Sequence, residues 1–474
     1  MVAWKPMTPM PPLKLERDLF LQPVHTLSLY IHIPFCSSRC RYCDFYFETG
    51  WSPRVMGRTL DRVVAEAGYF FETLGKPRIN TIYFGGGTPS VIPPRELDDF
   101  LDRLRRALTI GERQHEPAEW SFEMNPESVS PELLAVLRDR GVNRLSLGVQ
   151  SFQDPLLRFL TRRATRERAT EALDLIARLP ARAHFPHLNI DLITGIPGQS
   201  RQMVTEDIER ALSYGPDHFS VYSLTVEERT PLAQMVAHGQ ARPLPVEQQD
   251  SLWFAARDRL LACGFEHYEI SNFALPGGHS LHNAAYWRLD PYVGLGPGAV
   301  STVPATVEAE PEGGPASRQR SVARLTNPNL FIYSSAFDPS WNHEVELISP
   351  RSLLIEHFLT GLRTAEGVSL RRIERVFGLD LTERWERALA EWVSRAAIDP
   401  AALQEPAPRL ALTQAARLLL DRFLLEIDRL VDGLGPIAIA GWPPPHDGSS
   451  KTEPTFPTEG RLERRPVDIL RKPS

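Results

Sequence analysis

No apolar run in this 474-residue chain approaches the length of a membrane span. The opening residues, MVAWKPMTPMPPLKLERD, lack the apolar core of a secretory signal, so a cytoplasmic protein is expected. Basic residues are not in excess, and a net charge of -6 gives no general attraction to nucleic acid or to an anionic membrane. Cysteine is scarce. Four residues, three of them clustered, make no disulfide framework and suit a reducing compartment. No glycine run ends in Gly-Lys-Ser/Thr, which excludes a P-loop. A second C-x2-C or an H-x3-5-H pair is missing too, so a closed four-ligand zinc shell lacks part of its ligand set.

What is present is concentrated in Ser28 to Phe47, SLYIHIPFCSSRCRYCDFYF. Leu27 to Ile33 is an apolar, β-branched run of strand type that ends at Pro34. Cys36, Cys40 and Cys43 follow at C-x3-C-x2-C spacing. Thiolate is a soft ligand suited to zinc or to iron–sulfur iron. A cubic four-iron cluster usually takes four thiolates. The loop supplies three, and Cys263 lies far along the chain on an expected amphipathic helix. The economical reading is a cluster with one iron left to a ligand that is not protein. The alternative is a structural zinc or inert core thiols. His32 could complete a zinc shell, but strand alternation makes it a lining or packed residue.

Beyond this loop, short strands alternate with longer helices. Strands are expected at Ile79–Phe84, Trp120–Met124 and Val142–Gly148 and near 188–193 and 217–224, with helical patterns between them. That alternation is the signature of βαβ units and a parallel sheet of at least six units. Periodicity alone does not separate a partial barrel from an open doubly wound sheet. The expected organisation is a flexible lead-in over 1–24, the α/β body with its extension over 25–300, a flexible insertion and connector over 301–348, a small mainly helical domain over 349–432, and a disordered tail over 433–474.

Cys36, Cys40 and Cys43 after a first strand resemble the radical S-adenosylmethionine (SAM) superfamily. The stretches YIHIPFC and YCDF narrow the resemblance to the oxygen-independent coproporphyrinogen dehydrogenase family, and within it to the heme-chaperone (HemW-like) branch. The resemblance implies a partial (β/α)6 barrel with a winged-helix-like C-terminal domain. Lys and Arg are not clustered on one face of that domain, which favours a packing or lid role over DNA binding. It also implies a [4Fe–4S] cluster on Cys36, Cys40 and Cys43, with SAM bound to the open iron. Gly86, Gly87, Thr88 and Pro89 of GGGTP would meet the methionine amino group. Tyr30 and Tyr42 would flank SAM and cluster, Glu123 would bind SAM, and Gln150, Arg162 and Asp191 would line the same cavity. For each, the alternative is an ordinary polar residue at a strand end. The family pattern LGRxH around Arg162 is here Leu160-Thr161-Arg162-Arg163-Ala164, without the glycine and the histidine.

Two features separate the branches. Phe45 stands where the dehydrogenases carry a further cysteine. His282-Asn283-Ala284-Ala285-Tyr286-Trp287 matches the HNxxYW motif of the chaperones, after Tyr268-Glu269-Ile270-Ser271-Asn272-Phe273. The run Gly294 to Ala299, GLGPGA, resembles that branch, although Val300-Ser301 follows where the chaperones have His-Ser. A neutral imidazole is a common axial ligand of heme, so His282 is the candidate heme ligand. The alternative is a histidine hydrogen-bonded in a structured loop against the barrel mouth, with Tyr286 and Trp287 as packing. The implied function is heme binding and delivery to an acceptor protein, with SAM cleavage fed by an electron donor. Oxidative decarboxylation of coproporphyrinogen III, or another radical SAM reaction, is the rival.

Overall fold

The computed structural model describes residues 19–111, 116–178, 185–309, 317–334, 343–404 and 406–444. Its centre is a run of six parallel strands in chain order: β2 (Thr26–Ile33), β3 (Arg78–Gly86), β4 (Glu119–Met124), β5 (Arg144–Gln150), β6 (His187–Thr194) and β7 (His218–Ser223). Before it comes the short β1 (Leu19–Leu21). Between the strands run α1 (Pro53–Thr73), α2 (Pro94–Ala107), α3 (Pro131–Asp139), α4 (Asp154–Phe159), α5 (Arg166–Arg178) and α6 (Arg201–Leu212). Helix starts are written in the sequence. Ser52, Ser130 and Ser200 each accept the backbone N–H three residues on, and proline follows the first two.

The parallel run does not close. After α7 (Pro231–Ala237) and α8 (Val246–Ala262), β8 (Glu266–His267) and β9 (Asn272–Ala274) add antiparallel to the β7 edge. At the other edge, after α9 (Leu281–Trp287), β10 (Tyr292–Leu295) pairs parallel with β2. The sheet then continues through β11 (Val300–Ala309), β12 (Ser317–Thr326) and, after α10 (Leu330–Tyr333), β13 (Glu344–Ile348). This is a partial barrel and not a doubly wound sheet, since strand order follows chain order from β2 to β7.

Alternation along the strands sorts the two faces. Leu29, Ile31, Ile82, Phe84, Phe122, Leu145, Ile190 and Phe219 join the core formed with Leu60, Val63, Phe70, Phe100 and Leu101 of α1 and α2. The other face is polar. Register sets Tyr30 beside Tyr83 and Ser121, and His32 beside Gly85, with Glu123 beside Ser146, Asn189 and His218. The barrel is therefore lined by side chains that hydrogen-bond one another.

Among the described residues, 350–432 hold α11 (Pro350–Gly361), five further α-helices and a short 3-10 turn, with a two-stranded ribbon of Val368–Ser369 and Arg409–Leu410. Leu353, Leu354, Phe358, Ile373, Trp385, Trp392, Phe423 and Ile427 form their own apolar cluster.

Three expected boundaries change. Within the lead-in, Leu19–Leu21 is a strand paired with β11. The stretch read as a flexible connector holds β12, β13 and nearly all of β11, with Val303, Ala305, Val322, Ala323 and Leu325 buried. Composition counted its Pro, Ala, Glu and Gly, but pairing into the sheet buries both faces of these strands in part: Ala323 and Leu325 join one apolar cluster and Val322 the other. The first part of the tail also packs: Ala440 N–H donates to Val376 O at 2.8 Å, and Trp442 is buried against the helical cluster. The remainder of the tail, residues 1–18, and residues 310–316 and 335–342 of the connector lie outside the described residues.

Candidate active site: a thiol-lined cavity at the strand ends

The cysteine loop leaves β2 at Pro34 and is tied down at both ends. Cys36 N–H donates to Glu48 O at 3.1 Å, and Glu48 N–H donates back to Pro34 O at 2.6 Å. Its middle is strapped to distant elements. Arg41 N–H donates to Leu160 O at 3.2 Å, Leu232 N–H donates to Arg41 O at 2.9 Å, and Arg229 pairs with Asp44 at 2.8 Å. The loop thus closes one side of a cavity of about 650 Å³ at the C-terminal ends of β3 to β7. All three loop thiols line it, as do Tyr42, Gly86, Gly87, Thr88, Pro89, Glu123, Gln150, Arg162 and Asp191. Cys263, the C-cap of α8, is not among its lining residues.

The thiols are free, and burial pushes Cys36 up to about 11 and raises Cys43, with the neighbouring sulfurs adding to both. Three mutually repelling thiolates need a strongly cationic partner to displace their protons. Among the described residues no three His, Cys, Asp or Glu side chains form a group that could hold a metal ion. Three thiols on one cavity wall, each meeting a different iron of a cubic cluster, need not meet at one ion. The donor set fits that group.

Around them a polar frame fixes the wall. Cys36 Sγ lies 3.5 Å from Thr88 Oγ1, which accepts from Asn125 Nδ2 at 3.2 Å. Arg162 donates from one nitrogen to Asn125 Oδ1 and Gly148 O, both at 2.7 Å, and its other terminal nitrogen lies 3.8 Å from Cys40 Sγ. Arg162 therefore braces two strand ends against the cysteine loop. The missing glycine before it has a visible consequence: Thr161 sits at φ 56°, the left-handed region that glycine enters freely. Its hydroxyl instead donates to Arg39 O at 3.2 Å and accepts from Arg41 N–H at 3.1 Å. Ala164, at the position of the missing histidine, is buried.

The glycine run serves close approach. Gly86 has φ 104°, and a Cβ there would lie 2.7 Å from the His32 ring. A Cβ on Gly87 would lie 2.9 Å from Phe35 O. The end of β3 can therefore lie against the cysteine loop only without side chains.

On the far wall stand Glu123 and Asp191. Burial pushes Glu123 up to about 7, opposed by the Tyr83 hydroxyl, which donates to its Oε1 at 2.6 Å. Burial raises Asp191 as well, opposed by hydroxyl and amide donors from Ser220, Asn189 and Ser146. Two buried carboxylates facing three thiols suit a cationic ligand held against a cluster. Gln150 reaches the cavity from a backbone held at φ 67°. The following turn is gripped by Asp207, which accepts from Ser151 Oγ at 2.6 Å and Phe152 N–H at 2.9 Å.

Two expected residues are elsewhere. Tyr30 lies a layer deeper, its hydroxyl 3.0 Å from His32 Nδ1 and its ring stacked on Tyr83. His282 is neither in a loop nor at the mouth. It lies on α9 at the N-terminal end of the strands, fully buried, with Nδ1 2.8 Å from Thr81 Oγ1 and its ring stacked on Tyr83 at 5.0 Å. The Glu119 carboxylate holds that helix by accepting the N–H groups of Leu281 and His282. Ligation of heme iron by His282 therefore requires α9 to move off β3. Sequence reasoning missed Tyr83, Asn125 and Tyr222. Asn125, directly after a strand and before Pro126, carried a readable signal.

Comparison with known proteins agrees with this geometry. The model of the radical SAM superfamily matches residues 30–211. The chain is 31% identical over 369 residues to "Heme chaperone HemW" of Lactococcus lactis, covering 78% of this chain and 89% of that protein. Its counterpart in Bacillus subtilis is 32% identical over 75% of this chain and 88% of its own length. That of Mycobacterium tuberculosis is 33% identical over 84% and 94%. Among solved structures, the radical SAM enzyme coproporphyrinogen III oxidase (HemN) of Escherichia coli superposes with a TM-score of 0.66 at 20% identity, over 85% of this chain and 90% of that one. That likeness concerns the fold alone.

Proposed function

This chain belongs to the HemW heme-chaperone family of the radical SAM superfamily, and from that premise we propose that it binds heme and delivers it to acceptor proteins, holding a [4Fe–4S] cluster and SAM in the thiol-lined cavity. The observation that carries the cofactor assignment is the meeting of Cys36, Cys40 and Cys43 with Glu123 and Asp191 on one cavity. Cys36, Cys40 and Cys43 would hold the cluster. Once bound and reduced by an electron donor, it supplies an electron to the sulfonium of SAM.

The chain's own residues do the rest. Glu123 and Asp191 attract the cationic parts of SAM. Arg162 and Thr88 hold the sulfur side of the cavity in place. The Gly86–Gly87 backbone lets the end of β3 lie close to the cysteine loop. Tyr42 and Gln150 complete the wall. No described helix is long and apolar enough to cross a membrane, and we place the protein in the cytoplasm.

The rival reading, decarboxylation of coproporphyrinogen III, is disfavoured by Phe45. It stands at the cavity mouth, 71% exposed, where the dehydrogenases have a thiol. Protein rebuilt anaerobically with iron and sulfide is mixed first with heme, then with an apo heme protein. Stoichiometric uptake and transfer, without vinyl products from coproporphyrinogen, are expected. Vinyl formation with no transfer would overturn the chaperone reading.

A further inference from the structure

A single file of hydrogen bonds runs through the barrel from its base to the cavity wall. Tyr268 Oη lies 2.8 Å from His218 Nε2, His218 Nδ1 lies 2.7 Å from Asn189 Oδ1, and Asn189 Nδ2 lies 2.7 Å from Asp191 Oδ1. Side branches complete it. Ser220 Oγ lies 3.2 Å from Asn189 Oδ1 and also reaches Asp191, so its one proton serves either, while Asn189 Nδ2 donates to Ser146 Oγ at 2.8 Å and Ser146 Oγ donates to Asp191 Oδ2 at 3.4 Å. Ser146, Asn189, His218, Ser220 and Tyr268 are all buried.

The direction of this file is fixed by its last member. An ionised Asp191 accepts only, so the Asn189 amide must turn its NH2 toward it. The Asn189 oxygen then faces His218, which must carry its proton on Nδ1. His218 Nε2 is left to accept, and its donor among the described residues is the Tyr268 hydroxyl, which in turn accepts Ser280 N–H at 3.4 Å. Reversing any one amide or tautomer would set two acceptors or two donors face to face among buried side chains, which is costly. Burial, with Arg144, His279 and His187 nearby, holds the imidazole far below its ordinary value, so it stays neutral and keeps its tautomer.

We propose that His218, acting through Asn189 and itself fixed by Tyr268, is a positioning residue that aims the Asp191 carboxylate into the cavity and so sets its affinity for the cationic SAM. This rests on the reading of the cavity as a SAM site. Asp191 lines the cavity and would touch the ligand. His218 does not line it, and nothing in its sequence neighbourhood, Asp217-His218-Phe219, signals such a role.

The test is SAM titration of anaerobically rebuilt, full-length protein, alongside His218→Phe and Tyr268→Phe. With iron content unchanged, His218→Phe should bind SAM about tenfold more weakly, the effect of losing one well-made polar interaction. Tyr268→Phe should lose less, since Nδ1 still has its acceptor. Nitrogen-15 spectra of histidine-labelled wild-type protein should show His218 as the Nδ1–H tautomer. Equal SAM affinity in the iron-loaded variants, or an Nε2–H tautomer, would overturn the proposal. If His218→Phe does not fold, the tautomer and the Tyr268→Phe titration still decide. Wild-type protein that loads iron but takes no SAM would instead sink the SAM site itself, whatever the tautomer.

Discussion

Glu123 shows what a single side chain contributes and costs. Its carboxyl, held up to about 7 by burial, lies above the usual carboxylate value of about 4.3 in an unfolded chain. Between those values the native state carries more protons than the unfolded one, so this residue's contribution to stability falls as pH rises through that window. Glu123→Gln should therefore stabilise ligand-free protein by about 1–3 kcal/mol above neutral pH, read by denaturant unfolding. A cationic ligand favours the ionised form and expels the proton. SAM affinity should then tighten from about pH 6 to about pH 8 in wild-type protein and stay weak and flat in the Gln variant. Wild-type affinity that does not vary with pH would remove Glu123 from the binding wall. At this scale the loop thiols, Thr88, Glu123, Gln150 and Asp191 stood out because they lie in the contiguously spaced loop or at or near strand ends, whereas Arg162, between α4 and α5, was reached only through the resemblance. Tyr83 and Tyr222 did not stand out. A polar residue alternating along a strand reads alike whether it faces solvent, the barrel's hydrogen-bonded interior, as Tyr83 does, or the cavity, as Tyr222 does.

Among the elements, the junction of β2, the cysteine loop and β3 depends on backbones touching. Gly86→Ala adds a methyl 2.7 Å from His32 at a φ of 104°. The expected cost is about 1–3 kcal/mol of stability, with reduced iron loading measured after reconstitution. Unchanged melting and iron content would show that the junction has slack. The junction was half legible: GGGTP announced a close approach, but not that its nearest neighbour is the His32 ring. The hairpin of β11 and β12 was illegible for another reason. Pro304 and a run of Ala and Glu argue for a linker when residues are counted. Yet the whole run Ser301 to Ala305 is buried, because β11 is paired with β1, β10 and β12. Likewise α9 entered the sequence reading only as the alternative to heme ligation by His282, a structured loop against the barrel mouth. Its position under the barrel comes from Glu119, whose carboxylate meets α9 only through tertiary structure.

At the level of the whole molecule, two large apolar cores stand beside a small third one among the described residues: one under the barrel helices, and one within residues 348–442 that also takes in Leu289 and Val322. The alternation of strand and helix made the first legible, and a Ser349-Pro350 cap made the start of the second so. The polar interior between cavity and α9 could not be foreseen, because it exists only once the six parallel strands β2 to β7 curve together. The account as a whole rests on three sulfurs holding an iron cube with one corner left for SAM. Iron, sulfide and SAM stoichiometry of anaerobically rebuilt protein, compared across Cys36→Ala, Cys40→Ala, Cys43→Ala and Cys263→Ala, tests this most directly. About four irons per chain and one SAM are predicted for wild type and for Cys263→Ala, with loss of both in the other three. A colourless zinc protein, or a cluster that fails only when Cys263 is removed, would contradict it.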